Sequence, residues 1–261
     1  MKNAIYLFGF ISLLIVSCTN DNDIITPLSS DSNVLLQQKI EIVNGESSTS
    51  NFDYLGFKIN NQTDPVKSFT YEYVGDLISK ITFQAFDDIN HKKEQLLQYD
   101  NINRLSQVIE LYHYGPNAPL GYKNVYTHNN DNTISFNQFK GDLIMQEIPN
   151  GSGKYFLNEN GEVDKFEQYN TNGDLSISVN FFYDTKNAPM KNVKGFDKLF
   201  FVNEGKNHNI TSLTINSEGS PEIQAVYTFE YNSDDFPENQ TITHISENDI
   251  IINKSIQYVY N

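Results

Sequence analysis

Cysteine occurs once in this chain of 261 residues, at Cys18, and tryptophan not at all. One cysteine cannot close an intramolecular disulfide, and a cysteine spent on a leader leaves no thiol for zinc or for nucleophilic catalysis. Basic residues are few: 18 Lys and Arg stand against 33 Asp and Glu, a net charge of −15. With no Lys/Arg cluster, that balance repels phosphate and excludes a nucleic-acid partner. No G-x-S-x-G, Walker loop or H-E-x-x-H occurs, which removes the readable hydrolase, nucleotide-binding and metalloprotease signatures. Helical periodicity is also missing, so "NVLLQQKIE" (Asn33 to Glu41) reads as a first strand. A hydrophobic fraction of 38% with 20% charged residues is nevertheless globular.

What is present begins with a leader. Lys2 precedes an apolar run, "AIYLFGFISLLIV" from Ala4 to Val16, too short for the roughly 20 residues of a membrane-spanning helix but suited to the core of a secretory signal. The following "IVSC" resembles the bacterial lipobox. That resemblance implies cleavage between Ser17 and Cys18, lipidation of Cys18, and an anchor made of acyl chains that do not leave the membrane. "TNDND", with Asp21 and Asp23, resembles the surface-export signal of Bacteroidota lipoproteins; polar residues that merely solvate a tether are the alternative. The expected division is a signal peptide over 1–17, a lipidated tether over 18–33 and a single repeat domain over 34–261.

In the body, period two dominates. "FTYEY" places Phe69, Tyr71 and Tyr73 on one side, and "IQAVYTFEY" aligns Ile223, Ala225, Tyr227, Phe229 and Tyr231, the mark of strands with one buried face. A seven-residue cassette punctuates them: apolar, Asn or Asp, two free positions, Gly/Asn/Asp, a free position, then Leu, Val or Pro. Six copies start at Tyr99, Leu157, Tyr169, Tyr183, Ile215 and Tyr231, with weaker relatives from Tyr126 and Val202. Asn or Asp can bond the backbone two residues on, and Gly or Asn accepts positive φ, so each cassette predicts a hairpin reversal. The cassettes, "YDNINRL" above all, resemble the YD repeat of Rhs-type proteins and the short YD-like repeats of Bacteroidota lipoproteins of unknown function. The resemblance supports strands and turns and carries over no catalytic residue. The expected fold is all-β: an elongated, twisted antiparallel meander, partly rolled or folded over to cover its aromatic face.

Sixteen Tyr and 18 Phe suggest a ring-lined ligand platform, although most fall in the buried phase of the alternation. Tyr112 and Tyr114 in "YHYG" and Tyr258 and Tyr260 in "YVY" are the candidate ligand-binding residues, because they crowd rings near strand ends. The five histidines, His91, His113, His128, His208 and His244, never fall within four residues of one another, so no metal site or cofactor is expected. Adsorbed calcium at "HNNDN" (His128 to Asn132) or "NENGE" (Asn158 to Glu162) stays open beside a simpler reading as turns. The adjacent pairs Asp87/Asp88 and Asp234/Asp235 point to opposite faces of a strand and read as solvated turns rather than glycosidase carboxylates. Function is expected to be that of an envelope-anchored, non-enzymatic binding or adhesive module for a glycan, peptide or partner protein. The alternative is a structural stalk or assembly subunit acting through a free edge strand, and a hydrolase comes third. Outer-membrane localisation, with possible surface exposure, follows from the anchor.

Overall fold

The computed structural model describes residues 33–88, 90–115, 119–200, 205–246 and 249–261, those from 244 to 253 by their backbone. The expected leader, Cys18 and all of the tether but residue 33 lie outside the described residues. Alternation does set the secondary structure. The strands, in chain order, are β1 (Leu36–Val43), β2 (Glu46–Leu55), β3 (Lys58–Thr63), β4 (Lys67–Val74), β5 (Leu77–Ala85), β6 (Lys92–Tyr99), β7 (Leu105–Tyr112) and β8 (Leu120–His128). They continue as β9 (Thr133–Gly141), β10 (Gln146–Leu157), β11 (Val163–Tyr169), β12 (Leu175–Asn187), β13 (His208–Ser217), β14 (Ile223–Tyr231), β15 (Pro237–Ser246) and β16 (Asp249–Tyr260). The one helical element among the described residues is a 3-10 turn, Phe196–Lys198.

Each strand pairs antiparallel with its sequence neighbours. β1 also pairs with β16, Lys39 opposite Tyr258 and Val43 opposite Lys254, so the sheet is a closed sixteen-strand barrel. This corrects the expected partly rolled meander: the antiparallel all-β class stands, but the sheet has no open edge. An open sheet of this size would leave two unpaired edges and one wide apolar face, and a single further ladder removes both.

The cassettes fold as the sequence demands. In four of them Asp100, Asn158, Asn170 and Asn232 each donate a backbone N–H to the carbonyl four residues on. The side-chain oxygen of each accepts the N–H groups two and four residues on. The fifth cassette position takes the left-handed conformation that closes the turn, with φ of 62° at Asn103, 74° at Gly161, 89° at Gly173 and 62° at Asp235. The copy from Ile215 also reverses the chain, with φ of 70° at Gly219, but keeps Asn216 paired within β13; the copy from Tyr183 makes no reversal. There β12 runs on through Asn187, and the chain then leaves the wall.

That departure decides the interior. Eight strands are filled by their own side chains, whereas sixteen leave a channel unless something enters it. The connection between β12 and β13 enters: Ala188, Met190, Val193, Phe196, Leu199 and Phe200 are all buried. The Phe200 ring lies 4.8 Å from Tyr126 and 5.1 Å from Tyr155, edge to face. Lys194 donates its backbone N–H to the Phe57 carbonyl, Tyr73 donates its hydroxyl to the Lys194 carbonyl, and Asn192 reaches the Val34 carbonyl. This cap covers the end of the barrel that holds both termini of the sheet.

The wall has two unlike faces. Inward positions carry the apolar set, such as Tyr71, Ile81, Leu97 and Val108 across β4 to β7. Outward positions are polar: Thr49, Asn51 and Asp53 on β2, Thr70 and Glu72 on β4, Ser212, Thr214 and Asn216 on β13, Gln224, Thr228 and Glu230 on β14. Some outward positions are apolar, such as Phe182, Val259 and the cross-strand pair Leu96 and Ile109, as is ordinary for a protein surface.

Candidate binding site

At the capped end, strand-terminal tyrosines tie neighbouring strands together. Tyr54, Tyr99 and Tyr183 donate their hydroxyls to the carbonyls of Leu36, Ile78 and Val163, each on the preceding strand, at 2.8 to 2.9 Å. Burial pushes the Tyr54 and Tyr99 hydroxyls well above the ordinary phenol range, so they remain donors. This end is structural.

The opposite end, the mouth, is built differently. On β4 to β8 the inward face ends in a chain of rings: Phe69 to Phe83 at 5.4 Å, Phe83 to His91 at 5.7 Å, His91 to Tyr114 at 3.8 Å, Tyr114 to Tyr112 at 6.1 Å, and Tyr112 to Tyr122 at 6.0 Å and 88°. All of these side chains are half-buried. Interleaved with these rings, Lys93 opposite Tyr112 and Glu110 opposite Tyr122, a polar belt begins. Lys93, only 5% exposed, sets its Nζ 2.7 Å from Glu110 Oε1 and 4.9 Å over the Tyr112 ring. Gln95 donates to the same oxygen at 2.7 Å, and the Tyr112 hydroxyl donates to Oε2 at 3.0 Å.

The belt continues around the wall as side-chain amides. Gln138 Nε2 on β9 donates to Asn124 Oδ1 on β8 at 3.1 Å, and Asn150 Nδ2 on β10 donates to Gln138 Oε1 at 2.6 Å. On β1 and β16, Glu41 faces Lys39 at 3.2 Å and Lys254 at 2.8 Å. Below the belt the apolar core begins, so the inner wall is layered from rings through polar groups to core and cap.

Charge in the belt is internally balanced. Burial pushes the Glu110 carboxyl up, but the Lys93 ammonium with hydrogen bonds from Lys93, Gln95 and Tyr112 outweighs it and holds the group below its ordinary value. Burial and the Glu110 charge push the Tyr112 hydroxyl far up. The layer therefore offers fixed ring faces and neutral hydrogen-bonding groups, with each lysine named here already facing a carboxylate.

Of the residues singled out in the sequence, Tyr112 and Tyr114 do come together here. Tyr258 and Tyr260 do not join them. Tyr258 is buried and donates to Gln240 at 2.6 Å, and the Tyr260 ring packs 5.3 Å from Phe236 beside the capped end. Ser17 and Cys18 lie outside the described residues. His113 sits 2.8 Å from Glu94 on the outer wall, His128 2.9 Å from the Leu105 carbonyl and His208 2.8 Å from Glu162. Among the described residues no three His, Cys, Asp or Glu gather as a metal site, and "HNNDN" and "NENGE" fold as hairpin turns. Asp87/Asp88 and Asp234/Asp235 lie in exposed turns, as read. Lys93, Gln95, Glu110, Tyr122, Gln138 and Asn150 went unread. Their one sequence signal is polarity in the inward phase, as in "KKEQLLQY" of β6, where Lys93 and Gln95 share a face with Leu97 and Tyr99.

No protein-family model matches the chain, and no curated protein does. Among solved structures it is similar to a porin-like protein from Bacteroides vulgatus, with a TM-score of 0.56, 13% identity, and coverage of 87% of this chain and 99% of that one. A porin-like protein from Bacteroides uniformis follows, with a TM-score of 0.43, 10% identity, and coverage of 86% of this chain and 96% of that one. At 13% identity the first likeness establishes the barrel fold.

Proposed function

We propose that this chain is a lipid-anchored envelope protein whose barrel stands in water and binds a ligand, without chemistry, at the ring-lined mouth. The observation that carries the reading is the sidedness of the wall. A barrel that crosses a bilayer presents an apolar band about 25 Å tall to lipid, and a Lys or Arg at its midplane costs about 2–4 kcal/mol. Here the outward face of β4 to β6 bears an ion-pair ladder instead: Lys80 lies 3.5 Å from Glu72 and 2.9 Å from Glu94, which also meets Lys92 at 3.1 Å. The interior, with its cap, is packed as a core rather than left as a channel. Similarity to a porin-like protein supports an envelope setting, and the lipobox-like "IVSC" supports attachment through Cys18 rather than through the wall.

A mouth of half-buried tyrosines with convergent polar groups favours binding over a purely structural role. The structural alternative relied on a free edge strand, and the pairing of β1 with β16 leaves none. The test is fractionation of cells labelled with an alkyne fatty acid. The chain is expected to carry label and sediment with membranes, and Cys18→Ala to lose the label and appear in the soluble fraction. A Cys18→Ala chain that stays in the membrane, together with stepwise conductance in planar bilayers, would replace this reading with that of a pore.

A further inference from the structure

Resting on the binding reading above, we propose that the mouth takes an uncharged oligosaccharide, its sugar rings lying on Tyr114 and Tyr112 and its hydroxyls meeting the Asn124–Gln138–Asn150 amides. Three observations choose this class. First, the side-chain amide ladder uses one of the two N–H donors of Gln138 and one of those of Asn150, leaving the second on each for a hydroxyl acceptor. Neutral amides that both donate and accept match sugar hydroxyls, which do the same.

Second, the charges of the belt are paired within it, Lys93 with Glu110 and Lys254 with Glu41. Lys140, opposite Tyr122 on the inward face of β9, stands outside these pairs, so it is the net charge of −15 that weighs against a uronate or sulfate. Third, a peptide is recognised through its backbone when a sheet edge can accept it as an extra strand, and this barrel has closed its edges. A lipid tail is disfavoured because it would bury the polar belt without replacing its hydrogen bonds with water.

The full chain in detergent is titrated with neutral hexasaccharides (α- and β-linked glucans, mannan, galactan), with uronate and sulfated hexasaccharides, and with a tyrosine-rich peptide, using calorimetry and tyrosine fluorescence. At least one neutral hexasaccharide is expected to bind with little salt dependence. Tyr114→Ala and Gln138→Leu should each weaken it tenfold or more while the unfolding midpoint holds within a few degrees. Binding confined to charged sugars and lost in salt overturns the ligand class. So does peptide binding that Tyr114→Ala abolishes, although that result keeps the binding reading. Silence from every probe overturns both, and a neutral sugar that binds equally to Tyr114→Ala and Gln138→Leu overturns the site.

Discussion

Lys93 is the residue on which the polar belt turns. Its ammonium and Glu110 are both withdrawn from water, and removing one partner of a buried pair strands the other, at about 3–5 kcal/mol. Lys93→Met is expected to cost that much in denaturant unfolding, and adding Glu110→Gln should recover part of it; a loss under about 0.5 kcal/mol would show that water reaches the pair. On the outer wall the balance differs. Burial pushes the Glu94 carboxyl up, but hydrogen bonds from Lys80, Lys92 and His113 outweigh it and hold the group down to about 2. A depressed folded value means that the stability it contributes is complete above about 4.5 and is lost as pH falls toward 2. Solvent screening limits that contribution to about 1 kcal/mol. Glu94→Gln should therefore flatten the acid limb of stability between pH 4.5 and 2, read by thermal unfolding across that window. At this scale the sequence disclosed Tyr112 and Tyr114 because dense rings are visible in a string. Glu110 and Lys93 show only as polar residues in a buried phase, a sign that needs the strand register to be read.

The hairpin turns are the most legible elements, because everything they require is local: Asn or Asp to accept two backbone N–H groups and a residue that tolerates positive φ within five positions. The failure at Tyr183 is equally instructive. "YDTKNAP" has the cassette residues, and Asp184 still accepts the Lys186 N–H two residues on, but it also accepts the Asn209 N–H and the Tyr231 hydroxyl from the next two strands, while the Ala188 N–H, four residues on, goes to the Asn207 carbonyl instead. The cap that follows had no periodicity to betray it. Its place is fixed by close approach: Gly195 has φ of 81°, and a Cβ there would lie 2.8 Å from the Asp76 carbonyl oxygen and 3.1 Å from Ile78. Gly195→Ala is expected to lose about 1–3 kcal/mol, and Phe200→Ala about 3–5 kcal/mol. Hydrogen exchange should show the loosening first at residues 188–200. Protection there unchanged in both variants would mean the cap does not hold the core.

For the whole molecule, alternation told that one face is buried but not how. Closure depends on β1 meeting β16 across more than two hundred residues of chain, and no local pattern records that register, whereas the polarity of the outward phase was in the sequence throughout. That polarity is what the proposal of an anchored, water-facing barrel with a binding mouth rests on. The direct measurement is spin labelling at single cysteines replacing outward Thr49, Thr82, Thr214 and Thr228, in the lipidated chain on vesicles. Relaxation by a water-soluble nickel complex and by oxygen is compared at each site. All four labels are predicted to be relaxed mainly by the nickel complex, as on a wall in water; labels shielded from it and relaxed by oxygen would place the wall in the bilayer and contradict the account.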